Sequence, residues 1–164
     1  MATIHLDAKD RRLLDLLQQD ARRSLDSLAG EVALSAPAVQ RRIRRLRDGG
    51  VITGDVALVE PAAVGLPMTF IVLVELERER ADQVDAFRRK AAAEDRVQQC
   101  YYVTGEADFV LVAVAESMDD FEALTRRLFF DDPNVRRFRT SVAMGTVTRS
   151  LAVPAQAVAG GERA

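Results

Sequence analysis

The chain has no tryptophan, one histidine and one cysteine in 164 residues, and each scarcity removes a class of chemistry. A single thiol, Cys100, cannot build an internal disulfide framework, so packing must hold the fold, as expected for a protein of the reducing cytoplasm. The lone histidine, His5, sits in the N-terminal arm, which excludes histidine-dependent triads and multi-histidine metal sites. No apolar run approaches the roughly 18 residues of a membrane span. The start, Met1 to Asp7, lacks the basic and apolar regions of a secretory signal, so a cytoplasmic location without membrane partners is expected. There is no P-loop and no G-x-G-x-x-G, the two glycine-rich phosphate cradles. Asp119-Asp120 and Asp131-Asp132 read as a helix start and a helix stop, not as paired acid–base groups. Cys100 lies inside a predicted strand and reads as a small core residue. No enzyme activity, metal or cofactor is expected.

What the chain does have is a polarised charge. The net charge is −2. Residues 1–50 carry +3 and residues 51–164 carry −5, and five arginines crowd between Arg41 and Arg47. One half is thus suited to phosphates and the other to something else. The 164 residues suffice for one ordinary domain or two small ones, and at 48 % hydrophobic residues the chain can bury a core.

The first fifty residues predict three short helices. Asp7 is a candidate N-cap with Asp10 three positions on, and Leu13, Leu14, Leu16 and Leu17 form an apolar face. Ser24 opens a second helix carrying Leu25, Leu28, Ala29 and Val32. After the tight Ala33-Leu34 connection, Ser35 caps a third helix with Pro37 in its first turn and Gly50 as its left-handed stop. Val39, Ile43 and Leu46 share the buried face of that helix while Arg41, Arg44 and Arg45 point elsewhere. An apolar seam under an arginine-rich outer face suits either a solvated amphipathic helix or a helix lying in the DNA major groove. Two helices joined by such a turn form a helix-turn-helix.

Val51 to Val59 is rich in β-branched residues and predicts a strand linking two domains, ended by the Gly65-Leu66-Pro67 break. A different rhythm follows: a strand over 68–77, a helix over 80–93, strands over 97–103 and 108–115, a helix opened by Ser117, and a strand from Val135. The order β-α-β-β-α-β predicts a ferredoxin-like domain. Apolar residues on both faces of strand 68–77 predict that both faces are covered. The fold class is therefore α+β, an N-terminal helix-turn-helix (winged-helix-like) domain plus a C-terminal ferredoxin-like domain. The boundaries are 1–50 for the first domain, 51–67 for the linker strand and hinge, 68–150 for the second domain, and 151–164 for a patternless, disordered tail. Within the second domain, Gly105 lets a ligand approach the main chain of the 104–107 hairpin, where Glu106 and Asp108 suit an ammonium group and free N–H groups a carboxylate. An ordinary polar turn is the other reading of that hairpin.

Taken in order, Leu6-Asp7-Ala8-Lys9-Asp10, Leu17-Gln18-Gln19-Asp20-Ala21-Arg22, Leu28-Ala29, Leu34-Ser35, Arg42-Ile43 and Gly50-Val51-Ile52 resemble the helix-turn-helix of the leucine-responsive/asparagine regulator (Lrp/AsnC) family. Val103-Thr104-Gly105-Glu106-Ala107-Asp108-Phe109 resembles the hairpin of that family's effector-binding (RAM) domain. Departures stand at Gly30, at Ala33 (often glycine in the family) and at Ala107 (often aromatic).

The resemblance implies a transcriptional regulator that binds double-stranded DNA as a dimer with packed RAM sheets, often assembled into an octamer. It implies a small effector, commonly an amino acid, bound at the hairpin by Thr104, Gly105, Glu106 and Asp108, with Tyr102 and Ser141 as further candidates. Paired third helices would then read half-sites roughly 34 Å apart. Gln40, Arg41 and Arg44, with Ala36 and Ala38, are expected at base edges. Arg45, Arg47, Arg22 and Arg23 are expected at phosphates, and Arg42 partly within the core. An effector-independent architectural protein that bridges DNA is the alternative function. An enzyme on the ferredoxin-like fold is a third class, but it lacks catalytic residues.

Overall fold

The computed structural model describes residues 4–156, which form two compact units, one of residues up to Ala57 together with the segment from Thr148, the other Leu58–Val147. The first unit contains α1 (Ala8–Gln19), α2 (Leu25–Val32) and α3 (Ala36–Asp48). Helix α1 starts in a reciprocal cap: Asp7 Oδ1 accepts the Asp10 N–H at 2.8 Å, and the Asp10 carboxylate accepts the Asp7 N–H at 3.1 Å. Ser24 caps α2 by accepting the Ser27 N–H at 3.1 Å. Ser35 holds the N-cap position of α3, but its hydroxyl makes no cap bond. Pro37 removes one of the two N–H groups such a hydroxyl normally receives.

The turn between α2 and α3 passes through Ala33 at φ 50°, a left-handed conformation that costs a side chain with a Cβ about 1–2 kcal/mol. Helix α3 stops as expected at Gly50, φ 70°, where the Val51 N–H returns to the Leu46 carbonyl at 2.9 Å. Beside it, a Cβ at Gly49 would lie 1.6 Å from Ile4 Cδ1, the movable end of a side chain, and 3.2 Å from the Arg45 carbonyl. Leu13, Leu16, Leu28, Val32, Val39 and Ile43 close the core between the three helices.

The strand expected over 51–59 is absent. Residues 51–60 form no helix or strand, and among the described residues of the first unit no strand pair follows α3, so the helix-turn-helix carries no wing. β-Branched composition favours an extended chain, but a strand also needs a partner's N–H and C=O groups. A 3₁₀ turn over Pro61–Val64 and a left-handed Gly65, φ 82°, then lead into the second unit.

That unit has the predicted order: β1 (Met68–Leu76), α4 (Ala81–Ala92), β2 (Val97–Tyr102), β3 (Phe109–Ala115), α5 (Met118–Thr125) with a π turn over Arg126–Phe130, and β4 (Val135–Val142). The strands form one antiparallel sheet in the order β2-β3-β1-β4, the ferredoxin-like arrangement. Phe70, Val72 and Val74 alternate inward with Phe109 and Leu111, and α4 and α5 cover that face through Phe87, Phe121 and Leu124. Phe70 and Phe121 stack with centroids 3.7 Å apart. Cys100 is half-buried against this core, and burial pushes its thiol pKa up. The opposite face, with Ile71, Leu73, Val110 and Val112, has no helix over it within the unit.

The tail departs from expectation in its nearer part. Residues 150–156 run along α1, held by hydrogen bonds to Arg11, Asp15 and Gln18, while 157–164 lie outside the described residues. Most of these bonds go to tail backbone, which leaves no residue pattern in the sequence.

Candidate DNA-reading helix and effector hairpin

Helix α3 separates its arginines by what they touch. At 100° per residue, Val39, Ile43 and Leu46 face inward, and the opposite side carries Pro37, Arg41 and Arg44. Gln40, Arg41 and Arg44 are exposed, and neither Arg41 nor Arg44 makes an ion pair among the described residues. Ala38 is half-buried. Ala36, expected at base edges, instead packs against the core between the helices.

Arg42 and Arg45 turn back to α1. Arg42 Nη1 donates to Asp10 Oδ1 at 2.8 Å and to Asp7 Oδ2 at 2.7 Å, and Arg45 Nη2 donates to Asp10 Oδ2. Asp10 is completely buried, so its charge is tolerated only because these donors and the Asp7 N–H surround it. The Asp10 N–H and then Arg42 hold the Asp7 carboxyl down at about 2, and the two carboxylates raise the Arg42 pKa in turn. The expected part-structural role of Arg42 matches this placement. Arg45 was expected at phosphate, but its fork is engaged inward although the side chain is 48 % exposed.

The other expected phosphate contacts divide in the same way. Arg47 Nη2 pairs with Asp55 at 2.8 Å, and Arg23 Nη2 with Glu31 at 3.2 Å, where Arg12 joins from the other side at 2.9 Å. Arg22 stays almost wholly exposed, 3.6 Å from Asp20. The inward turn of Arg45 and Arg23 was not visible in the sequence. Their partners are carboxylates on another helix or another turn, and a charge run does not reveal them.

In the second unit the hairpin after β2 closes through the Val103 N–H to the Asp108 carbonyl at 2.9 Å. Thr104, Gly105 and Glu106 form its exposed tip, with Gly105 at φ 128°. Asp108, expected to receive a ligand's ammonium group, is engaged: its Oδ2 accepts the Leu76 N–H at 2.6 Å and its own N–H reaches the Val74 carbonyl at 2.9 Å. It pins the hairpin to β1. Ala107 is buried beneath it.

Tyr102 and Ser141 are not brought together. Tyr102 aligns through Phe109 and Val74 with the helix-covered face, where Arg88 of α4 lies 4.9 Å over its ring. Ser141 pairs with Ile71 on the uncovered face, three residues along the strand from the hairpin, or roughly 10 Å. Period-two alternation separates them.

A charge cluster that no sequence motif marks lies on the uncovered face beside the hairpin. Glu75 accepts two bonds from Arg137, at 2.9 and 2.8 Å, and these lower its pKa. Arg139 lies 3.6 Å from Glu75 and 3.3 Å from Glu106 on the hairpin tip. The alternation of Arg137, Arg139 and Ser141 on β4 was the available signal. What it lacked was the register that sets Glu75 across from Arg137.

Two family models match the chain: the AsnC-type helix-turn-helix domain over residues 6–47 and the Lrp/AsnC ligand binding domain over residues 69–153. An HTH-type transcriptional regulator of Sinorhizobium fredii is 46 % identical over 151 residues, covering 92 % of this chain and 89 % of its own. The leucine-responsive regulatory protein of Rhizobium meliloti is 33 % identical over 144 residues, covering 88 % and 92 %. Among solved structures, a transcriptional regulator of Neisseria meningitidis in complex with L-methionine superposes with a TM-score of 0.84 at 26 % identity, covering 92 % of this chain and 97 % of its own.

Proposed function

We propose that this chain, which belongs to the Lrp/AsnC family of DNA-binding transcriptional regulators, reads a pseudo-palindromic DNA site as a dimer and answers to an amino-acid effector at the hairpin tip. The observation that carries the DNA reading is the division of labour on α3: Arg42 and Arg45 lock the helix to α1, and Gln40, Arg41 and Arg44 are left outward. Arginine matches the O6 and N7 acceptors of guanine with two bonds, and glutamine matches adenine. Arg22, in the turn between α1 and α2, is the remaining phosphate contact.

Support for a dimer comes from the apolar uncovered sheet face of Ile71, Leu73, Val110 and Val112, which a second copy of the same sheet would bury. Support for an amino acid comes from the exposed pair Glu106–Arg139, 3.3 Å apart. A zwitterion carries the complementary charges: its carboxylate replaces Glu106 at Arg139, and its ammonium group faces Glu106, beside free backbone at Thr104 and Gly105. The structure of a relative with L-methionine favours this class of ligand over an effector-independent DNA-bridging role.

The deciding experiment is a footprint on the DNA flanking the protein's own gene, repeated with each amino acid. Arg41→Ala is expected to lose about 1–3 kcal/mol on the preferred site and much less on random DNA. Equal losses on both would make Arg41 a phosphate contact. Binding indifferent to every amino acid, with extended footprints, would favour the architectural reading.

A further inference from the structure

The outer stripe of α1 holds a polar ladder that DNA reading does not use. Arg11, Asp15 and Gln18 stand at i, i+4 and i+7, and each meets the segment 150–156. The Gln18 amide donates to the Val153 carbonyl at 2.9 Å and accepts the Val153 N–H at 2.8 Å, as a neighbouring strand would. Asp15 accepts the Ala155 N–H at 3.0 Å and the Gln156 amide at 2.6 Å, and Arg11 donates to the Ala155 carbonyl at 2.9 Å. The segment runs antiparallel to the helix. One helical turn spans about 5.4 Å, close to the roughly 6.6 Å between alternate residues of an extended chain, so successive rungs stay in register.

We infer that Arg11, Asp15 and Gln18 form a docking rail for an extended backbone, and that residues 150–156 are its releasable intramolecular ligand. Four of the five bonds are to main chain, so the rail recognises an extended conformation and not particular side chains. The Leu151 and Val153 side chains stay exposed and only Ala155 is half-buried, so the contacts that hold the strap are mostly polar bonds. The Ala143 N–H still bonds the Thr69 carbonyl at 2.9 Å, so the chain leaves the sheet there and reaches the rail ten residues later, a reach of at most about 36 Å. The DNA-binding unit is therefore joined to the sheet unit by two chain segments, 58–67 and 143–153, instead of one. In a dimer bound to two half-sites, which rests on the function proposed above, a second tether narrows the half-site spacings that both units can reach.

The test uses the full chain. Val153→Pro with Ala155→Pro deletes the two N–H donors while keeping the segment extended and α1 untouched, and Gln18→Ala removes the rung from the helix side. In the wild type, the Val153 and Ala155 amides are expected to exchange about tenfold or more slowly than in a free peptide of residues 148–156. Gln18→Ala should bring Val153 to the peptide's rate. Shifting the half-sites by half a turn should cost the wild type more than about tenfold in affinity and the double-proline chain less than about threefold. Peptide-like exchange in the wild type, or an unchanged spacing penalty in the double-proline chain, overturns the proposal. If the wild type binds no DNA, the proposed function fails, and amide exchange alone decides whether the strap is real.

Discussion

Removing one buried carboxylate should show how α3 is held. Asp10→Ala deletes three hydrogen bonds at a side chain with 0 % exposure, two of them from guanidinium groups. Breaking a buried ion pair from one side costs about 3–5 kcal/mol. Here the loss is smaller, because Arg42 retains Asp7 and Arg45 already reaches water, so about 2–4 kcal/mol is expected. A helical unit of this size has roughly 3–9 kcal/mol in total. The variant should therefore lose about a fifth or more of the unit's stability and melt about 8–32 °C earlier. Calorimetry reads the transition, and amide exchange at α1 and α3 assigns it to the helical unit and not to the sheet. Arg45→Ala is the control, and it should cost about 1 kcal/mol or less because that side chain is half exposed. A loss under about 0.5 kcal/mol for Asp10→Ala, or equal losses for the two variants, would refute the reasoning.

Ala33→Gly should stabilise the helical unit by about 0.5–1 kcal/mol in chemical denaturation, because glycine adopts φ 50° without the Cβ clash and gives back only part of that in chain entropy. Gly30→Ala should add about 0.5–1 kcal/mol, since a Cβ there meets nothing within 4 Å. An acid titration of stability tests Asp7. Its folded pKa, about 2, lies below the ordinary 3.8, so its contribution is complete above 3.8 and fades as the pH falls toward 2. In Asp7→Asn that part of the slope should vanish. Val112→Glu places a charge on the uncovered sheet face and should give a monomer by light scattering, whereas an unchanged dimer would assign the interface to another surface.

The sequence made local periodicity legible and distant partners illegible. The inward faces of α3 and β1 follow from spacings of three or four residues and of two, and both appear as expected. Asp10 and Arg45 lie 35 residues apart, so no window shows that one neutralises the other. Val56 and Val59 have strand composition but no paired backbone, and propensity alone misread them. The family resemblance groups Tyr102 with Ser141, and the register of the sheet sets them on opposite faces. The strap left no signal because the rail grips peptide groups, which every residue carries.

The commitment of three of the five α3 arginines to Asp7, Asp10 and Asp55 also sets how the protein should respond to ionic strength. A helix with five free arginines would displace many counterions from DNA, and its affinity would collapse as salt rose. With only Arg41 and Arg44 uncompensated on α3 and Arg22 exposed before α2, two copies offer the DNA at most six cations, a slope no steeper than about −5.4 in log K against log salt. Much of the discrimination between sites would then survive at salt concentrations that strip a purely electrostatic binder from DNA.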